Sequence, residues 1–281
     1  MLTLKALPAY DGDCFIISLG EGNDIKNIII DGGRKRLVVN KLKKEIQDIK
    51  NKGQVIDLMI LTHIDNDHIY GLIKLFEENW INKEIIKEVW FNSKEIIGDT
   101  YFNENANDDL LQVMNKDDAN ISFKQGITFS KRLEDLDIKI DKVITAGYSK
   151  SLGDAKLKVI SPEEENLKKL YSEWDKAFPK EVVNGVNISS NKESDYNCSI
   201  DELLIKPYEE DKALVNGSSI AFILEYKDKR VLMLADAHPS IIIKNLREIY
   251  GQTVDKIYMD LIKLSHHGSK RNINEEFVNN I

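Results

Sequence analysis

The sequence predicts an α/β protein whose first 91 residues are patterned as half of a layered αββα sandwich. Two observations predict it. Three strand patterns open the chain, and strands and helices alternate after them. A third observation points to where the chemistry lies: a buried strand pattern at 55–61 runs straight into His63, Asp65, Asp67 and His68.

Leu2–Leu7, Cys14–Leu19 and Asn27–Asp31 read as strands separated by Gly-Asp turns. Leu37–Lys50 spaces Leu37, Val38, Leu42, Ile46 and Ile49 among charges, as a surface helix does. Val55–Leu61 is apolar, branched and of strand length. A helix with Ile69, Leu72, Ile73 and Phe76 on one face follows, and Glu88–Phe91 reads as a short buried strand. From 92 to about 141 the pattern is helical and polar, with Asn- and Asp-rich breaks at 103–109 and 115–120. Val143–Thr145 and Lys156–Ile160 read as strands. Ser161-Pro162-Glu163-Glu164 reads as a helix start, with Ser161 as cap and Pro162 in the first position. Residues 180–200 are Asn- and Ser-rich loop, followed by a helix around Asp201–Leu204. The stretches 92–141 and 165–212 are expected to be insertions over the site, one of them a lid, without strong apolar stripes. Ser218–Tyr226 and Val231–Ala235 form a hairpin, Pro239–Tyr250 a helix, Lys256–Leu264 a strand, and Asn272–Ile281 the start of a helix.

Four potential metal ligands in six residues, at the carboxyl end of a buried strand, lie where open α/β sheets place their sites. Imidazoles and carboxylates together suit a borderline divalent ion such as Zn²⁺ or Mn²⁺. A plain strand-to-helix loop, with Asn66 or Asp67 as helix cap, accounts for one acid and leaves two histidines and a second acid unexplained. All five histidines fall in short motifs at strand ends: His63 and His68, His238, then His266 and His267. His238 precedes Pro239 and reads either as a cap residue or as a substitute ligand.

The net charge of −8 argues against broad non-specific nucleic-acid binding, but it does not exclude a nucleotide or DNA end held by metals. Basic residues at 36–44 lie at helical spacing, as on a solvated face. Two cysteines, Cys14 and Cys198, make no disulfide framework, so a cytoplasmic location is the simpler expectation. No membrane association is expected, because no apolar run approaches spanning length and no signal-peptide pattern opens the chain. A serine-nucleophile hydrolase is disfavoured, since no Gly-x-Ser-x-Gly elbow is present.

The spacing His63-x-Asp65-x-Asp67-His68 resembles the metallo-β-lactamase fold superfamily, whose signature is His-x-His-x-Asp-His. Asp at the third position, with Lys263-Leu-Ser-His-His-Gly-Ser269, is similar to the subgroup that includes the hydrolase domain of competence DNA-uptake channels. Leu232-Met-Leu-Ala-Asp236 resembles the strand that carries the family's metal-bridging Asp. Gly12-Asp13-Cys14 and Ile28-Ile-Ile-Asp31-Gly-Gly33 look like its opening strands.

The resemblance implies a four-layer αββα sandwich of two mixed sheets with helical insertions, as a single domain over 1–281. The family continues with one more strand and helix, so the chain is expected to be truncated at its C-terminal end, with room for a further domain or partner subunit beyond residue 281. Carried over by position, Asp67 and His68 would bind one ion with His266. His63 and Asp65 would bind the other, and Asp236 would bridge. Which of His266 and His267 is the ligand stays open; His266 is preferred as the one nearer the strand. Asp67 and His267 are the expected catalytic residues, with His267 giving a proton or touching a phosphate. Asp31 reads as a partner that fixes a ligand histidine or as a turn residue, and Asp13 as a residue near the site or an exposed turn acid. The second signature His is Asp65 here, and no His lies between His68 and His238. The His63–Asp65 site is therefore expected to be the weaker one, open to Mn²⁺ where Zn²⁺ fills the other.

These features imply a metal-dependent hydrolase that uses a hydroxide shared by two divalent ions. A phosphodiesterase or nuclease acting on nucleic acid or nucleotides is favoured. Amide, ester or lactone hydrolysis by the same site is one alternative, and a catalytically weak interaction module is another.

Overall fold

Strand ends decide where the site can form, and both sheets turn the ends of their parallel strands toward one edge. The computed structural model describes residues 1–22, 24–78, 80–103, 121–177, 199, 207–252 and 256–281. The first sheet has the order β1 (Leu2–Ala6), β2 (Phe15–Glu21), β3 (Asp24–Ile30), β4 (Leu58–Ile60) and β5 (Val89–Trp90). β1, β2 and β3 pair antiparallel, while β3–β4 and β4–β5 are parallel. The second sheet runs β10 (Leu261–Lys263), β9 (Lys229–Met233), β8 (Ala221–Tyr226), β7 (Ala155–Ser161) and β6 (Ser149–Leu152), with only β9–β10 parallel. Both sheets are mixed, as expected.

The alternation of buried side chains along the strands sets the layers. Ile17, Leu19, Ile28, Ile30, Leu58 and Ile60 of the first sheet pack against Leu157, Val159, Phe222, Leu224, Val231 and Met233 of the second. The opposite face of the first sheet (Ile16, Ile29, Met59, Leu61) packs on α1 (Arg36–Asn51), α2 (Asn66–Leu75), α4 (Ile121–Asp135) and α5 (Glu164–Ala177). α3 (Lys94–Tyr101) adds Ile97 to the same core. The outer face of the second sheet carries α7 (Pro239–Tyr250) through Ile242, Ile243 and Leu246, and α8 (Glu275–Asn280) through Phe277. The layers are therefore helix, sheet, sheet, helix. A short α6 (Leu214–Gly217) precedes β8.

Several sequence expectations are corrected. α4 and α5 do carry apolar faces: Phe129 and Leu133, and Leu167, Leu170, Tyr171 and Trp174, are buried in the core under the first sheet. Ser161 does not cap α5. It still pairs with Ala221 in β7, and the Glu163 carbonyl accepts the first bonds from Asn166 and Leu167. Residues 143–145 form no strand, because the Asn92 side chain bonds both backbone groups of Ile144 and takes the place of a neighbouring strand. The strand expected at 256–264 contracts to β10. Most of the breaks at 103–109 and 115–120, the loop at 180–200 (apart from Ser199) and the helix at 201–204 lie outside the described residues. Among the described residues no helix is long and apolar enough to cross a membrane.

Candidate metal centre

The signature stretch begins where β4 ends. Asp31 sits one residue past β3, and β3 and β4 pair in parallel, so Asp31 and Thr62 emerge side by side. Asp31 takes φ +57, and its Oδ1 and Oδ2 accept from the Thr62 N–H and hydroxyl, both at 2.8 Å. The Gly32-Gly33 turn then lies against the first turn of α2: Gly32 N–H bonds the His68 carbonyl and Gly71 N–H the Gly33 carbonyl. A Cβ built on Gly71 would fall 1.8 Å from the Gly32 oxygen, so only glycine permits this approach. The contact seats His68 over Asp31, with Nδ1 2.8 Å from Oδ2. α2 starts at Asn66, earlier than the apolar spacing suggests. Asp67 and His68 are therefore in its first turn, where an acid suits the helix dipole. Asp65 precedes the helix, and its side chain accepts from Ser122 on α4 at 2.9 Å instead of capping.

The second sheet supplies the other wall. Asp236 follows β9 after Ala235 at φ +47. His266 and His267 occupy a 3-10 turn at Ser265–Gly268, both left-handed at φ +46 and +55. His266 N–H bonds the Ala235 carbonyl, which ties the ends of β9 and β10 together. Across the cleft, Ile220 N–H bonds the Thr62 carbonyl.

The donor atoms converge on Asp236. Its Oδ1 is 3.6 Å from His68 Nε2, and its Oδ2 is 3.8 Å from His63 Nε2 and 3.7 Å from His266 Nε2. Asp67 Oδ2 is 3.7 Å from His68 Nε2 and 3.4 Å from His267 Nε2. Asp65 Oδ2 is 3.8 Å from His63 Nε2. His63 Nε2, His68 Nε2 and Asp236 Oδ1 are buried without a hydrogen-bond partner. Buried polar atoms are normally paired, so three orphans aimed at one point fit a cation bound among them. His63–His68–Asp236 and Asp67–His68–His267 each bring three such atoms within reach of one ion.

The two late histidines do not divide as the sequence preference had it. His267 joins Asp67 and His68, while His266 faces the Asp236 oxygen that also faces His63. Two successive left-handed residues set the rings 73° apart, so each meets a different partner. His266 thus brings a second imidazole to the side of Asp236 that His63 faces. His238 stays apart: its Nε2–H donates to the Ala213 carbonyl at 3.1 Å, at the N-cap position of α7. Asp13 is buried rather than exposed, 3.4 Å from His267 Nδ1 and ion-paired with Lys263.

The cluster is electrostatically divided. Burial and the neighbouring His68 push His63 down to about 4. Burial opposes charge on His68 too, but Asp31 and Asp236 outweigh it and hold that ring well above its ordinary value. Burial raises Asp65, with Asp67 adding to the shift. It also works to raise Asp236, yet His68, His63 and Lys263 hold that carboxyl far below the usual range. Hydrogen bonds to Asp13 and then Asp67 lift His267 to about 9.

Four contributors escape a sequence reading. Lys263 ends β10, bonds the Ala235 carbonyl at 2.9 Å and lies 3.8 Å from Asp236; it opens the late histidine motif, but nothing in that motif marks it as facing the acids. Asp211 stands 3.5 Å from His266 Nδ1 but sits in a run of acids and lysine that reads as solvated surface. Ser122 and Asn272 carry no motif at all.

The metallo-beta-lactamase superfamily model matches residues 8–169, a span that includes Asp13, Asp31 and the whole His63–His68 stretch. The chain belongs to the metallo-beta-lactamase superfamily. Its members are metal-dependent hydrolases, and the clustered His and Asp side chains are able to bind metal. Solved structures similar to this superfamily member include the Rm3 metallo-beta-lactamase, at 13% identity, TM-score 0.36, and coverage of 91% of this chain and 76% of that one. A putative metallo-beta-lactamase from Thermotoga maritima matches at 13% identity and TM-score 0.36, over 90% of this chain and 87% of that one. BJP-1 of Bradyrhizobium japonicum, a subclass B3 metallo-beta-lactamase, matches at 12% identity and TM-score 0.33, over 89% and 70%. No curated protein matches the sequence.

Proposed function

We propose that this chain is a dinuclear metal-dependent phosphodiesterase acting on nucleic acid or nucleotides. The observation that carries the metal-dependent part is the convergence of His63 Nε2, His68 Nε2 and Asp236 Oδ1, all buried and unpartnered. We assign Asp67, His68 and His267 to one ion, His63, Asp65 and His266 to the other, and Asp236 to both. With His267 among the ligands, it is no longer a free proton donor. Two divalent ions held there would supply an activated water and neutralise charge on the substrate oxygens. Asp31 accepts from His68 Nδ1–H, so the other ring nitrogen presents its lone pair to the cluster. Lys263 offsets the negative charge of Asp13 and Asp236 on the side away from solvent.

Three carboxylates in the donor set support the phosphodiester reading. Set beside four imidazoles, they let the site take a harder ion such as Mn²⁺ as well as Zn²⁺, and hard ions suit phosphate oxygens. Metal analysis of the purified chain, with turnover of bis-p-nitrophenyl phosphate, single-stranded DNA and a β-lactam, tests both parts. Bound divalent metal with cleavage of the two phosphodiesters is expected. Cleavage of the lactam alone would overturn the substrate class, and absence of metal affinity would overturn the whole assignment.

A further inference from the structure

His266 and His267 adopt a backbone conformation that residues with a Cβ rarely take, and such a residue persists only where its surroundings hold it. Part of that hold is near the strand ends, where His266 N–H bonds the Ala235 carbonyl and the Ser265 hydroxyl the Ala237 carbonyl. The rest comes from the segment at 208–216, distant in sequence. Tyr208 Oη–H and Asp211 N–H both donate to the Arg271 carbonyl, at 2.9 and 3.1 Å. The Asp211 carboxylate is itself fixed, accepting from the Asn216 amide at 2.6 Å, the Ala213 N–H at 3.0 Å and the Asn272 amide at 3.2 Å.

This network also sets which nitrogen of His266 faces the cluster. The Asn272 amide nitrogen points at two acceptors, Asp211 Oδ2 and the Asp236 carbonyl, so Asn272 Oδ1 must face His266 Nδ1, at 3.1 Å. A second acceptor, Asp211 Oδ2, lies 3.5 Å from the same ring nitrogen. Among the described residues one donor is near, Asn216 Nδ2 at 3.3 Å, with one of its two hydrogens going to Asp211. The closest group, Asn272 Oδ1, and the one charged group, Asp211, are both acceptors, which places a proton on Nδ1. Nε2 then carries the lone pair, and it is Nε2 that stands 3.7 Å from Asp236 Oδ2.

We infer that Asp211 is a positioning residue: with Asn272 it orients His266 through Nδ1, and its segment straps the left-handed histidine turn into its ligand-presenting shape. It does for the second sheet what the Asp31 carboxylate does for His68. The inference rests on the proposed metal-dependent function, and its test separates the two.

The test uses the full chain with Asp211→Asn and Asp211→Ala. Zn²⁺ affinity is measured by chelator competition, turnover of bis-p-nitrophenyl phosphate is resolved into kcat and KM, and ring-nitrogen NMR reads the His266 tautomer in metal-free protein. Wild type should show a protonated Nδ1 at His266. Asp211→Ala should lose that signature and bind Zn²⁺ about 10–100-fold more weakly, the usual cost of removing such a partner. Asp211→Asn, which keeps an acceptor oxygen, should fall between, with kcat lowered more than KM is raised. A neutral wild-type His266 ring with its proton on Nε2 and none on Nδ1, or an Asp211→Ala protein with unchanged Zn²⁺ affinity, would overturn the inference. If the chain bound no divalent ion the proposed function would fail, and the wild-type tautomer would still decide the role of Asp211.

Discussion

His63 and His68 stand at a strand end and in the first turn of a helix with fully buried side chains, whereas His266 and His267 stand on a left-handed turn with side chains 38% and 31% exposed. The first wall is held by its neighbours in sequence and by one paired strand: Asp31, the two glycines beside it and Thr62. The second wall is tied to the end of β9 and gripped in addition by chain from far away. A site can thus be rigid on one side because strand and helix geometry leave no alternative, and on the other partly because a remote segment grips it. Perturbing one wall at a time should expose that difference.

Removing the group both walls share should have the largest effect. Asp236→Ala deletes the carboxylate that faces His63, His68 and His266, so neither half keeps its full donor set. Metal content and phosphodiester turnover should fall together, by more than the ~10–100-fold typical of losing an outer partner. A variant that kept both ions would show that the two walls do not meet at Asp236.

Next come the two late histidines, changed singly. His267→Ala should release the ion held with Asp67 and His68, and His266→Ala the ion held with His63, each leaving about one ion behind. Metal titration with turnover in zinc and manganese reads this directly. If His266→Ala instead frees the ion of Asp67 and His68, the division of the rings is the reverse of the one drawn here.

Asp31→Ala should weaken metal binding by about 10–100-fold through His68. Unlike changes on the second wall, it should also lower stability, by about 1–3 kcal/mol, because the Thr62 N–H is left buried without its acceptor. Thermal unfolding of the metal-free protein separates the two effects. An unchanged melting temperature would mean that the first wall is no more integral to the fold than the second.

The same contrast explains what the sequence made legible. The layers, the hairpin at β8–β9, α7 and the His63–His68 stretch all follow from patterns within a dozen residues, where apolar period and polar interruption say enough. The division between His266 and His267 does not, because it depends on a positive φ at two non-glycine residues that no local propensity requires. Asp211, Ser122 and Asn272 reach the site only through tertiary contact, so their positions in polar stretches gave no sign. Ser161 misled for a related reason. A Ser-Pro-Glu-Glu run has the composition of a helix start, but pairing with Ala221 keeps Ser161 in the sheet.

The smallest effect should come from Ser122→Ala, and it tests whether the first wall is wholly local. Asp65 stands where the family signature has a histidine, and its side chain is 36% exposed, far more than those of His63 or His68. The Ser122 hydroxyl from α4 takes its Oδ1 and leaves Oδ2 on the side of His63. Losing one partly exposed hydrogen bond to a carboxylate costs about 0.5–1.5 kcal/mol, so metal affinity at the His63 half should drop by roughly 2–10-fold while the other half is unaffected. Gln125→Ala is the control: Gln125 also reaches from α4 to the signature loop, but it bonds Asn66, which holds no metal. Equal losses in the two variants would mean that α4 merely packs on the loop. A loss confined to Ser122→Ala would mean that even the first wall depends on one atom from a distant helix.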